Sequence, residues 1–339
     1  MPQVQQTRGN EIKQVFDSPR TAGSRGDPAF PLPHNLDRIP LVCPSCQGAL
    51  TPGLNRWSCS RERITFGMED GIPSFVLLHS RASTEIFLRN YRTVRDSEGW
   101  GSSENTYYRC LPFKDTTGLH SGIWRIRSRT YECFVNHLLT HRPPRNTRVL
   151  DLGAGNCWLS LRLADLGFTV VAVDIDLDPS DGLGVLRRFH NHVCAPPIPV
   201  RADFTMLPFP PDAFDIVIFA ASLHYSHDIA ATLENALRLL SKAGILYILD
   251  SPLYRNPSSG ERMVRERNRR FQRDLGLHIP EHSEGSFLSS RLIESLKTRY
   301  RVEVISPHRN LGTTLRPWLT RLLFRREAAS FNVIAIHRD

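Results

Sequence analysis

The chain has 339 residues, 40% of them hydrophobic and 23% charged, with a formal net charge of +9. That length buries a full core, as one large domain with additions or as two. No apolar run approaches the ~20 residues of a bilayer-spanning helix, and the polar amino terminus lacks a secretory apolar core, so a cytoplasmic protein without membrane insertion is expected.

Residues 1–35 are polar and have almost no apolar periodicity, which predicts a disordered tail. Residues 36–80 form a compact module with three of the seven cysteines. Cys43 and Cys46, in CPSC, have the spacing of a two-ligand knuckle, and Cys59 begins what should be another. The other four cysteines are scattered, and the odd total suits a reducing compartment better than a disulfide scaffold. Residues 81–145 read as a helical cap broken by the loop GWGSSEN, with apolar residues at helical spacing from Ile123 to Leu139. Pro143 and Pro144 end that helix.

Residues 146–339 are the core. Strands are predicted near Arg148–Leu152, Thr169–Asp174, Pro199–Arg201, Phe214–Phe219, Ile245–Asp250, Arg301–Ile305 and Phe331–His337, with helices between them, notably Trp158–Leu166 and Asp228–Leu240. The fold class is therefore α/β, a Rossmann-like seven-stranded sheet with helices on both faces. Its first unit, from Arg148 to Asp176, is a strand, a glycine loop, an amphipathic helix and a second strand ending in Asp174. Such a βαβ unit holds a nucleoside at the carboxyl ends of its strands. Gly153 and Gly155 let backbone approach a ligand closely, and Asp174 is placed to accept hydrogen bonds from both ribose hydroxyls. A dinucleotide site shares this unit, but Asp151 would repel a pyrophosphate and attract an ammonium group, and Cys157 stands where the third fingerprint glycine would be. A Rossmann-like domain that binds nothing is the remaining alternative.

Asp151, Gly153 and Gly155 together resemble the first motif of the class I S-adenosylmethionine-dependent methyltransferases. The run LPFPPDAFD after the third strand resembles the loop of their type-11 group, and the likeness extends over about Arg148–Asp250. The resemblance implies S-adenosylmethionine as cofactor and a sheet whose last strand runs antiparallel. Asp151, Gly153 and Gly155 would then surround the methionyl group, with Asp174 on the ribose and Asp203 and the Phe204 backbone on the adenine. Phe219, with Ala220 and Ala221, would pass beneath the methionyl group. His224 and Tyr225 stand where the family faces the methyl group, so His224 is a candidate general base near neutral pH, and a packing or capping role is the bland alternative. The cysteine module, continued by Asp70, Gly71, Ile72 and Pro73, resembles the zinc-ribbon module called the methyltransferase activator. That likeness implies a structural Zn2+ on Cys43, Cys46 and Cys59 with Glu62 in the fourth position. A decayed ribbon without metal stays open.

Tyr107, Tyr108 and Trp124 are candidates for a lid over the cofactor, with core aromatics of a helical cap as the favoured alternative. After the fifth strand an acceptor-binding insertion is expected over about 252–298, with Tyr254, Arg255 and Arg262 facing an acidic or polar acceptor. Arg265, Arg267, Arg269 and Arg270 alternate with Glu266 as a solvated helical face would. Nearly all the positive excess lies after Arg255. The expected reaction is methyl transfer to an O, N or C nucleophile of a small-molecule acceptor. The ribbon and the basic last quarter make ribosomal or transfer RNA the alternative partner, and a cofactor-binding scaffold without activity is a third reading.

Overall fold

The computed structural model describes residues 39–189, 195–277, 286–307 and 325–338. The expected tail, 1–35, lies outside them. The cysteine module folds as four short antiparallel strands, β1 (Thr51–Gly53), β2 (Arg56–Cys59), β3 (Ile64–Glu69) and β4 (Ile72–Ser74). Helices α1 (Arg81–Glu98), α2 (Asn105–Cys110) and α3 (Ser121–His141) follow, and Gly99 ends α1 in the left-handed conformation.

The apolar runs of the core become parallel strands buried on both faces: β5 (Arg148–Leu152), β6 (Thr169–Asp174), β7 (Ile198–Arg201), β8 (Phe214–Ala220) and β9 (Leu240–Leu249). Helices α4 (Trp158–Asp165) and α5 (Ile229–Arg238) lie between them in sequence, and the Asp228 carboxylate caps α5 by accepting from the Ala231 N–H at 2.9 Å. A two-stranded sheet, β10 (Leu253–Tyr254) with β11 (Leu288–Ser289), flanks helix α6 (Pro257–Leu275). Helix α7 (Ser290–Lys297) then leads into β12 (Arg301–Ile305), and β13 (Val333–His337) runs antiparallel to both β12 and β9. The core order is β7-β6-β5-β8-β9-β13-β12. Strand order reverses at β5, so a crevice opens at the carboxyl ends of β5, β6 and β8.

The cysteine module does not stand apart from this sheet. Strand β4 pairs in parallel with β7 at Ser74 and Arg201, and the Phe75 N–H donates to the Arg201 carbonyl at 2.8 Å, which makes one eleven-stranded sheet. Cys43, Cys59, Phe66 and Phe75 share one apolar cluster with Leu150, Val171, Val200 and Phe209. The module thereby covers an edge that would otherwise present unpaired backbone groups. It also holds the loop after β7, since the Val42 N–H donates to the Pro208 carbonyl at 3.0 Å.

On the opposite side α3 is tied to the sheet through His137, whose Nδ1 lies 2.9 Å from the Tyr247 hydroxyl and whose Nε2 lies 3.5 Å from Glu303. Of the two readings of Tyr107, Tyr108 and Trp124, lid or core, the structure has the core: each is at most 1% exposed. Trp124 meets Trp158 edge-on at 5.7 Å, and the Tyr108 hydroxyl donates to the carbonyls of Ser102 and Ser180, so these rings bind the cap to the sheet.

Candidate active site

A cavity of about 280 Å³ occupies the crevice, lined by the loops after β5, β6, β7 and β8 and by one side of α1. Its floor is set by a close backbone approach. Gly153 has φ +70°, and a Cβ there would lie 2.4 Å from that of Ser222, whose hydroxyl donates to the Leu152 carbonyl. Gly155 donates its N–H to Asp174 Oδ2 at 2.8 Å, and the Asp176 N–H donates to Oδ1 at 2.9 Å. The carboxylate at the tip of β6 therefore closes the glycine loop as well as facing the cavity. Burial pushes its pKa up to about 6, and the backbone N–H donors work against that rise.

Gly153, Gly155, Asp174, Asp203 and Phe204 line this cavity. Asp203 Oδ1 accepts from the N–H and hydroxyl of Thr205 at 2.8 and 2.7 Å, forming a turn that leaves Oδ2 open. Asp151 and Phe219 are not among the lining residues. The Asp151 carboxylate, expected beside the methionyl group, is buried, and its Oδ2 accepts from the Ser160 hydroxyl of α4 at 2.6 Å. Its other oxygen has no partner among the described residues, and burial raises its pKa to about 7. Phe219 is fully buried and meets Phe204 edge-on at 6.0 Å, supporting the ring that lines the cavity.

The wall that sequence reasoning missed comes from α1. Phe87 and Tyr91 stack at 5.8 Å and meet Tyr225 edge-on at 6.3 and 5.7 Å, so three rings close one side. An i, i+4 aromatic pair on an otherwise charged helix was the available signal.

A second cavity, about 570 Å³, adjoins the first, and the two linings share Ala221 and Tyr225. His224 lines the second one. Its Nδ1 has no hydrogen-bond partner among the described residues, and burial together with the charges of Arg267 and Arg127 lowers its pKa to about 3. A neutral imidazole with that pKa is a hydrogen-bond acceptor but a weak base, so titration near neutral pH is not what this environment supports. Tyr254 also lines this cavity, whereas Arg255 is exposed and Arg262 donates to the Arg325 carbonyl at 3.0 Å.

In the cysteine module the sulfurs of Cys43, Cys46 and Cys59 lie within 4.8 Å of one another, a donor set compatible with zinc. The Glu62 carboxylate is not part of that cluster. Glu62 is exposed and contributes its backbone N–H, which donates to the Cys59 sulfur at 3.4 Å.

Residues 150–248 match the profile of a family described as "Methyltransferase domain". No curated protein matches the chain. Among solved structures it is similar to the YcgJ protein of Bacillus subtilis, with 16% identity over 62% of this chain and 99% of that one and a TM-score of 0.43. It is also similar to an S-adenosylmethionine-dependent methyltransferase of Mesorhizobium loti (17% identity, 60% and 97% coverage, TM-score 0.40). A third is the PH0226 protein of Pyrococcus horikoshii (20% identity, 70% and 100% coverage, TM-score 0.44). Likeness at this level transfers neither substrate nor partner. The matched domain covers the glycine loop, Asp174, Asp203 and the shared wall of the two cavities. Residues 150–248 are thus a methyltransferase domain within a class I α/β fold, and the activity it supports is methyl transfer from S-adenosylmethionine.

Proposed function

We propose that the acceptor is a small molecule held in the larger cavity while the cofactor occupies the smaller one. The observation that carries this reading is the pair of adjoining cavities that meet at Ala221 and Tyr225. Transfer from a sulfonium is an in-line displacement, so a protein that seats donor and acceptor on opposite sides of one narrow boundary supplies the orientation the reaction needs. When bound, the cofactor supplies an activated methyl group. Asp174 accepts hydrogen bonds from the ribose hydroxyls, the open oxygen of Asp203 accepts from the adenine amino group, and Phe204 lies against the base. Phe87, Tyr91 and Tyr225 exclude water from the boundary. His224, neutral throughout the physiological range, accepts a hydrogen bond from the acceptor. The cysteine module, with a structural zinc on Cys43, Cys46 and Cys59, braces the loop that carries Asp203.

Most arginines of α6, Arg269 excepted, are engaged within the protein, which favours a small molecule over RNA as the acceptor. On α6, Arg265 faces Glu261 at 4.0 Å, Arg270 pairs with Glu98 at 2.8 Å, Arg273 pairs with Asp274 at 2.7 Å, and Arg267 lines the cavity. A phosphate-tracking face needs cations free to replace counterions. The test is transfer of labelled methyl groups into the total RNA and the small-molecule extract of the native host, with Asp174→Ala as blank. Label in the extract supports this reading, and label confined to RNA overturns it.

A further inference from the structure

Among the charged groups of the larger cavity, two guanidinium groups lack the counter-ion that the third one has. Arg326 pairs with Glu266 at 2.8 Å. Arg127 and Arg267, by contrast, form no ion pair among the described residues, and Arg127 is balanced only at longer range, by Asp250. Arg127 comes from α3 and lies over the ring of Trp124 at 4.7 Å and that of Trp100 at 5.7 Å. Arg267 comes from α6, donates one N–H to the Ser286 hydroxyl at 3.1 Å, and leaves its Nε without a partner. A guanidinium carries five N–H donors in a fixed fork that matches a carboxylate or phosphate. Ring faces and one hydroxyl leave most of those donors unused.

The other polar atoms of the cavity agree. His224 Nδ1 and Asp250 Oδ1 face it without hydrogen-bond partners among the described residues. Asp250 is the one carboxylate among the described lining residues; it acts on Arg127 from beyond ion-pair distance, so one carboxylate faces two guanidinium groups. Desolvation pulls Arg127 and Arg267 below the usual guanidinium range, and Asp250 opposes that shift at Arg127 alone. Buried charges in folded proteins are ordinarily paired or coordinated.

We infer that the acceptor is an anionic small molecule whose carboxylate or phosphate group seats on Arg127 and Arg267. This rests on the reading that the larger cavity holds the acceptor. The anion is the handle and not the methylated atom, because its lone pairs are engaged by N–H donors. The nucleophile is a different O, N or C atom of the same molecule, placed at the Ala221–Tyr225 boundary. It attacks the methyl carbon as the carbon–sulfur bond breaks, the bonding pair stays on sulfur as S-adenosylhomocysteine forms, and an O–H or N–H nucleophile passes its proton to water. His224 Nδ1 is suited to accept a hydrogen bond from that nucleophile.

The test splits a small-molecule extract of the native host on an anion exchanger and offers the retained and unretained fractions as acceptors, with labelled S-adenosylmethionine. Label taken up with the retained fraction alone is the expected result. Label with the unretained fraction overturns the anionic class and leaves small-molecule transfer standing. Label in neither fraction, by protein that still binds S-adenosylhomocysteine, overturns both. Phosphatase treatment of the retained fraction separates the two handles: acceptor activity is lost for a phosphate and kept for a carboxylate. Arg127→Met and Arg267→Met should each raise KM for the retained acceptor tenfold or more, with S-adenosylhomocysteine affinity changed less than twofold. Arg267→Lys should recover part of the loss. An unchanged KM in both methionine variants overturns the assignment, and the exchanger split decides if either variant fails to fold.

Discussion

The two cavities are built in opposite ways. The smaller cavity, proposed for the cofactor, is mainly a backbone construction: its floor, the Gly155–Asp174 clasp and the Asp203 turn all come from loops at the ends of adjacent parallel strands. The larger cavity, proposed for the acceptor, is assembled from side chains on α3, α6, the turn after β8 and the stretch before β13. A backbone cradle constrains a few residues strongly, while a side-chain cavity changes occupant whenever its contributors change. One cofactor and many acceptors are what such a division allows.

The strongest break in that comparison is Asp174→Ala. It removes a charge-assisted acceptor from both the ribose and the glycine loop, a loss of roughly 3 kcal/mol or about a hundredfold in cofactor affinity. Calorimetry of S-adenosylhomocysteine binding reads it directly, and affinity kept within tenfold would sink the ribose assignment. Tyr225→Ala acts on the wall common to both sides, so turnover should fall about tenfold while affinities for cofactor and acceptor each weaken severalfold. A change confined to one ligand would show that the cavities are not joined at that ring.

Acidity separates the two sites again. Asp174, with a pKa of about 6 in the free protein, binds ribose hydroxyls best as the carboxylate, so binding lowers that pKa. Cofactor affinity should be full above pH 7 and fall by up to about tenfold per unit below pH 6. A flat profile from pH 5 to 8 would show that Asp174 is ionised throughout. Cys43→Ser tests the bracing of the cofactor side from a distance. If zinc is held, the melting temperature should drop by about 5 °C and cofactor affinity weaken about twofold through the Val42–Pro208 bond. An unchanged melting temperature with no zinc by elemental analysis would establish a metal-free ribbon. The smallest effect belongs to His224→Ala, less than about fivefold in kcat and constant from pH 5.5 to 8.5, because the ring stays neutral over that range. A kinetic pKa near 6.5 that disappears in the variant would restore it as a general base.

Much of the core was legible along the chain. Strands Arg148–Leu152, Thr169–Asp174 and Arg301–Ile305 occur with the bounds expected from their apolar runs. Strand β9 begins five residues earlier than expected, at Leu240, where a register shift beside β8 admits the turn around Gly244. Asp151 was read as a ligand residue because its place in the motif is visible, whereas the direction of its side chain toward Ser160 is fixed by how α4 packs on β5. Arg267 looked like one of several solvated arginines, since a helix's buried face is defined by what packs against it.

Sequence by itself determined the βαβ unit, the glycine loop and the carboxylate at the tip of β6, because period, turn residues and strand ends are properties of short contiguous segments. Only tertiary structure decided that the cysteine module extends the sheet at β7, that Phe87 and Tyr91 wall the smaller cavity, and that Arg127 and Arg267 share the larger one. Those outcomes depend on which surfaces meet across more than a hundred residues, and burial, desolvation and edge pairing act on surfaces wherever they lie in the chain.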